Sequence, residues 1–287
     1  MTLRFIFILA MIILPLSVSG QQPDNGEGND TEPVKYTSLS LIERQDAFLP
    51  LGRSLETYRL NYILPLGYAY QTYPDELLDT KRDHLEIVFQ LSTKVRFYNS
   101  DTFKGYFGYT QRSFWQAYDD KNSRPFRESN YNPSLFLRTN RPLQLFSTEK
   151  LYFDFIFEHE SNGQKDVYTR SWNRVSIAIF NNDGRIKWEL KSWFRIPELL
   201  HDENPEIIDY MGSNELRVSY IQNYNISHLK LRLNPFTGFG AIEADTGYLI
   251  PDSEALALVH IFYGYGESLA DYKNLITRLG IGILFAY

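Results

Sequence analysis

The sequence predicts an all-β fold, a transmembrane antiparallel β-barrel of about twelve strands. Three observations predict it. After residue 20 no stretch is apolar and long enough for a membrane-spanning helix, and no long helical period appears. Several segments alternate apolar and polar residues over about ten positions or more, which suits a tilted membrane strand and exceeds the ~5–6 residues usual in soluble sheets. Tyr (21) and Phe (20) are abundant, as expected where aromatic girdles flank a lipid-facing band.

The elements follow in chain order. Arg4 precedes the apolar run FIFILAMIILPLSV, which ends on the small residues Ser19 and Gly20. A charged start, a short apolar core and small residues at its end describe a secretory signal peptide, residues 1–20. The next stretch, QQPDNGEGNDTEPVK, is polar, acidic and rich in Pro and Gly; residues 21–57 are expected to form a flexible periplasmic segment. Residues 58–287 are the barrel. In HLEIVFQLSTKVRFYN, Leu85, Ile87, Phe89, Leu91, Val95 and Phe97 alternate with Glu86, Gln90, Ser92, Lys94 and Arg96. RIKWELKSWFRI and HLKLRL repeat the pattern, with Lys187, Glu189, Lys191 and Arg195, then Lys230 and Arg232, on the polar side. Such runs lie near 60–73, 83–99, 103–117, 133–141, 151–161, 172–180, 186–196, 214–224, 227–234, 238–249, 254–265 and 274–287. An apolar outer face and a hydrated interior of ion pairs explain the alternation. The turn-rich segments 118–132 and 197–213 are candidate functional loops.

Composition excludes several classes. With no cysteine there is no disulfide framework and no thiolate chemistry. A formal net charge of −6 without a basic cluster gives no reason to expect a nucleic-acid partner. No internal repeat, heptad or second domain is visible.

The reactive residues stand where polar groups need explaining. In LYFDFIFEHESNG, Leu151, Phe153, Phe155 and Phe157 share one face, and His159 and Ser161 continue it. In SWNRVSIAIF, Asn173 is in phase with Val175, Ile177 and Ile179. All three therefore project outward, near the ends of adjacent strands. A histidine oriented by an amide and beside a serine is the nucleophile, base and orienter arrangement of acyl-transfer hydrolases. Asn in place of Asp orients the ring without adding a charge beside hydrocarbon. A nucleophile on the lipid face implies a membrane lipid as substrate. By the same parity Gln111 faces lipid, among Phe107, Tyr109, Ser113 and Trp115. An amide there is costly unless paired, so Gln111 is a candidate dimer-interface residue, meeting its counterpart on a second barrel. His84, His201, His228 and His260 carry a structural reading, and the lumen charges Lys94, Arg96, Lys187 and Glu189 read as ion pairs.

The segment HESNGQKDVYTRSWNR closely resembles the signature of outer-membrane phospholipase A. NYILP at 61–65, YTQRSFWQ at 109–116, PFRESNYNP at 125–133, NPEIIDYMG at 204–212 and GYGESLADY at 264–272 extend the resemblance over nearly the whole chain from Asn61. The resemblance implies a twelve-stranded barrel of the bacterial outer membrane, a calcium-dependent enzyme acting on A1 and A2 acyl esters and on lysophospholipids as a homodimer. It implies Ser161 as nucleophile, His159 as base, Asn173 as orienter and the Gly163 N–H in the oxyanion hole. It further implies calcium held by the Gln164 carbonyl, the Thr169 hydroxyl and Ser123 of a partner barrel. Thr169 departs from the family's usual serine. Glu203 replaces an aspartate of a monomer calcium site, where Asp166 is a second candidate ligand. Hard oxygen donors suit calcium. Two other classes stay open: another lipid-modifying barrel, such as a lipid A deacylase or acyltransferase, and a passive pore.

Overall fold

The computed structural model describes residues 55–70, 83–121, 123–144, 150–165, 168–198 and 202–286. The signal peptide, most of the arm, Asp166 and His201 lie outside the described residues. The strands are β1 (Leu55–Thr57), β2 (Asn61–Ala69), β3 (Leu85–Asn99), β4 (Phe103–Trp115), β5 (Phe126–Thr139), β6 (Leu143–Gln144), β7 (Lys150–Ser161), β8 (Ser171–Asn181), β9 (Ile186–Ile196), β10 (Asn214–Ile221), β11 (Asn225–Leu233), β12 (Gly240–Leu249), β13 (Leu256–Gly264) and β14 (Ile276–Ala286). A short helix, α1, covers Ile207–Met211.

All pairings are antiparallel, and β14 closes the sheet on β2 with Ile281 opposite Leu66. β1 and β2 both lie along β3, and β5 and β6 both lie along β7. Each of these pairs is one interrupted stave, so the wall is a closed barrel of twelve. Among the described residues the first pairing is that of Leu55 with Val95.

The first interruption has a local cause. Thr57 is opposite Thr93 and Tyr62 is opposite Gln90, so four residues, Tyr58 to Asn61, face only Leu91 and Ser92. The surplus turns inward: Tyr58 stacks on Phe136, and Arg59 reaches Glu189 at 3.0 Å. The Asn61 carboxamide fills the gap in the ladder, accepting from the Ser92 N–H at 2.6 Å and donating to the Ser92 carbonyl at 3.0 Å.

Side-chain parity follows the sequence reading. Leu91, Phe107, Leu135, Phe155, Phe157, Val175 and Ile177 are exposed on the outer wall, while their neighbours Arg112, Asp154, Glu158, Arg174 and Ser176 are buried inside. With lipid outside, charges belong in the lumen, where isolation would be costly and pairing offsets it. Arg174 meets Glu158 and Glu160, and Glu189 lies between Arg59 and Arg217. Glu86 is held by Arg127 and Arg278.

β5 starts at Phe126, inside the segment expected to be a loop. Arg127, Glu128 and Asn130 are buried polar residues of the lumen network. That stretch therefore lacks the apolar half of the alternation that marks other strands.

The connections around 116–125, 162–170, 197–213, 234–239 and 265–275 join strands at one rim, and the turns 100–102, 182–185, 222–224 and 250–255, most of them shorter, at the other. Longer loops mark the outward rim of such barrels. There Ile207 and Met211 of α1 pack with Trp172, Trp193, Leu269 and Tyr272 in an apolar cluster.

Candidate active site

β7 and β8 run side by side with His159 opposite Asn173 and Ser161 opposite Ser171. The unbroken alternation through Phe155 and Phe157 carries His159 and Ser161 onto the outer wall at the long-loop rim. His159 Nδ1 lies 2.9 Å from Asn173 Oδ1. The amide oxygen can only accept, so Nδ1 carries the proton and Nε2 is left with a lone pair, the tautomer a general base requires. Ser161 follows two residues along the same face, with Tyr131 of β5 opposite it.

Two supports were not singled out by sequence reasoning. Continuing the β5–β7 register places Pro133 opposite His159. Proline has no N–H to give, and the Asn132 carboxamide donates to the His159 carbonyl instead, at 2.8 Å. The second is Asn162, which is buried. Its amide donates to the Tyr168 carbonyl at 2.9 Å and accepts from the Arg170 N–H at 3.0 Å, tying both ends of the 162–170 loop together. A short polar residue that bonds nearby backbone is the available signal for such a role. Gly163 within this loop is left-handed (φ 65°), and a Cβ there would meet the Tyr131 ring at 3.1 Å. Glycine lets the backbone bend tightly beside Ser161.

The oxygen donors expected for a cation are only partly assembled in one chain. The Thr169 hydroxyl lies 3.1 Å from the Gln164 carbonyl, so two hard donors share one point of the loop. Ser123 is exposed on the 116–125 loop with φ 62°. Glu203 Oε2 lies 3.4 Å from the Ser171 hydroxyl. Burial pushes the Glu198 carboxyl above the usual range, with Asp202 and Glu203 adding to it, and Glu198 Oε1 is buried without a hydrogen-bond partner. The Thr169 hydroxyl and Gln164 carbonyl at one point, and the crowded carboxylates around Glu203 at another, are both hard-oxygen sets of the kind that calcium takes.

Gln111 is hydrogen-bonded on both sides within its own chain. Its Oε1 accepts from the Tyr109 hydroxyl at 3.0 Å and its Nε2 donates to Ser113 Oγ at 3.0 Å, with Ser129 Oγ 2.9 Å beyond. The amide finds its partners within its own strand, and Ser113 passes the chain on to Ser129 of β5. Gln111, Phe89, Phe126, Tyr131 and Gly163 border an open groove of about 330 Å³ on the outer wall.

Comparison with known proteins then decides the family. A family model described as phospholipase A1 matches residues 42–285. The chain belongs to the phospholipase A1 family. It is 30% identical to phospholipase A1 of Salmonella typhimurium over 96% of each chain, and 29% identical to that of Escherichia coli K12 over 97% of this chain and 96% of the relative. The structure of outer membrane phospholipase A from E. coli superposes with a TM-score of 0.74 at 30% identity, covering 80% of this chain and 98% of that one. A calcium-bound dimer of the Salmonella typhi outer membrane phospholipase superposes with a TM-score of 0.76 at 30% identity, covering 86% and 97%. The family's enzymes are phospholipases, and the apolar belt of this barrel is assigned to the bacterial outer membrane.

Proposed function

We propose that this protein is a calcium-dependent phospholipase that hydrolyses acyl esters of glycerophospholipids, at the A1 and A2 positions and in lysophospholipids, as a homodimer. The observation that carries it is the 2.9 Å bond between His159 and Asn173 on a lipid-facing wall.

Ser161 Oγ attacks the ester carbonyl carbon while His159 Nε2 takes the serine proton. Asn173 holds the ring in the tautomer that can do so. The Gly163 N–H donates to the oxyanion as the carbonyl oxygen gains charge. His159 returns the proton to the departing alcohol oxygen, leaving an acyl ester on Ser161. Water, deprotonated by His159, cleaves that ester and releases the fatty acid. The Gln164 carbonyl, the Thr169 hydroxyl and Ser123 of the partner subunit would hold a calcium ion, which when bound would supply positive charge to stabilise the oxyanion, and Glu203 and Asp166 would be ligands of a second site. The groove between Gln111 and Gly163 becomes a cleft for an acyl chain when a second barrel covers it. Gln111 lines that interface from a ladder of bonds already made within its own barrel.

The test is phospholipid turnover in mixed micelles, with and without chelator, for wild type and Ser161→Ala. The expected result is calcium-dependent release of fatty acid and a loss of roughly a thousandfold or more in the variant. Activity retained in Ser161→Ala would overturn the mechanism. Mass spectrometry of products from glycerophospholipid and from lipid A separates this reading from a deacylase or acyltransferase.

A further inference from the structure

His159 and Asn173 face each other on the outer wall, and their inward neighbours meet on the lumen side of the same two strands. Glu158 and Glu160 flank His159 on β7, and Trp172 and Arg174 flank Asn173 on β8. Glu158, Trp172 and Arg174 are buried, and the Glu160 side chain is 19% exposed. All four are joined. Arg174 Nη2 donates to Glu158 Oε2 at 3.1 Å and to Glu160 Oε2 at 2.9 Å. Trp172 Nε1 donates to the same Glu160 oxygen at 3.0 Å. The Arg174 guanidinium carbon lies 3.8 Å from the centre of the Trp172 ring, a cation–π contact. Trp172 packs in turn with Ile207 and Met211 of α1.

The backbone holds this corner less firmly than the middle of the strands. Ser161–Ser171 is the last pair of the β7–β8 ladder, two residues beyond His159–Asn173, and strand ends open at the least cost. On the other flank the register passes from Ser134–Glu158 to Tyr131–Ser161 without a pair at His159 or Glu160. Side-chain bonds between β7 and β8 therefore carry a share of the alignment that the ladder carries elsewhere. Bonds to a carboxylate are stronger than those between neutral groups, and here one carboxylate oxygen takes two donors from the opposite strand.

We propose that Glu160, Trp172 and Arg174 are positioning residues for the hydrolysis, their bonds on the lumen side fixing the spacing of His159 and Asn173 on the lipid side. This role rests on the reading of Ser161, His159 and Asn173 as nucleophile, base and orienter. The three act through the strands, since they lie on the opposite face of the wall from the reacting atoms. A misplacement of about 1 Å can cost about a hundredfold in rate, so a small loss of register at the end of β7 reaches the chemistry while the barrel stays closed.

The test is a double-mutant cycle in full-length protein refolded in detergent micelles at saturating calcium. Two rates are read: phospholipid turnover, and labelling of Ser161 by a long-chain fluorophosphonate, which phosphonylates an activated serine with loss of fluoride. Glu160→Leu removes the acceptor and should lower both rates about tenfold, with KM within about twofold of wild type. Glu160→Gln keeps an oxygen for the Trp172 N–H and should recover to within about threefold of wild type. Trp172→Phe keeps a ring, deletes the N–H and should fall between them. In an Asn173→Ala background Glu160→Leu should cost less than about twofold, because the pair that it aligns is gone. A purely structural loss would be the same in both backgrounds. Heat-modifiable gel mobility gives the folded fraction to which the rates are normalised, and Trp172→Phe carries the same cycle if Glu160→Leu does not fold. Equal losses in the two backgrounds, or wild-type rates in the folded variants, overturn this role. A wild type that neither turns over phospholipid nor labels at Ser161 overturns the underlying reading and this role with it.

Discussion

The Asn132 carboxamide donates to the main-chain carbonyl of His159 at 2.8 Å, taking the place of the N–H that Pro133 lacks. His159 is therefore held from both sides, by Asn173 through its ring and by Asn132 through its backbone. Asn132→Leu removes the second support and leaves a carbonyl without its donor, worth about 1 kcal/mol. The expected outcome is a kcat lowered roughly three- to tenfold, with KM nearly unchanged and thermal stability only slightly reduced. An unchanged kcat in steady-state assays would show that the backbone needs no such support.

The Thr169 hydroxyl and the Gln164 carbonyl meet at 3.1 Å. Thr169→Val keeps the shape and deletes the oxygen. The calcium concentration for half-maximal turnover should rise about tenfold or more, and Thr169→Ser should keep it near the wild-type value. Calcium-dependent crosslinking into dimers should shift in parallel with turnover. A Thr169→Val protein with wild-type calcium dependence in both measurements would remove this ligand.

How much of this was legible beforehand depends on how far each feature is local. Period-two alternation runs unbroken from Leu151 to Ser161, so the outward phase of His159 and Ser161 could be read from one strand. The start of β5 could not, because Arg127, Glu128 and Asn130 answer to partners across the lumen and not to an apolar face. The bonding of Gln111 is local by contrast, since Tyr109 and Ser113 stand two residues to either side on the same face of β4. Asn132 mattered only once the register placed Pro133 opposite His159. Glu160 and Trp172 lie on different strands, and their bond needs the β7–β8 register.

Glu198 lies outside the strands, and burial, with Asp202 and Glu203 nearby, raises its carboxyl pKa. A raised folded-state value means that the folded protein favours the protonated form. The stability from this group is present below the unfolded value of about 4.3 and is lost as pH rises through the higher folded value. Calcium-free protein should therefore show a thermal midpoint that falls over that window, and Glu198→Gln should flatten the fall. Calcium should restore the wild-type midpoint at neutral pH. A Glu198→Gln midpoint with the wild-type pH slope would assign the dependence to other groups.

Asn61 closes the ladder where the first stave is interrupted, bonding both the N–H and the carbonyl of Ser92. It is 7% exposed and also donates to the Arg59 carbonyl at 3.0 Å. Asn61→Leu keeps the branching of the side chain, though it is bulkier, and leaves the Ser92 N–H and carbonyl without partners in a wall that excludes water. Each such loss costs about 1–3 kcal/mol, so denaturant unfolding in lipid vesicles should show a destabilisation of about 2–4 kcal/mol. Asn61→Asp can still accept from the Ser92 N–H but cannot donate to the carbonyl, and its added charge must be buried. It should therefore also be destabilised. Equal stability of Asn61→Leu and wild type would mean that the backbone re-pairs across the Tyr58–Leu60 excursion without the side chain.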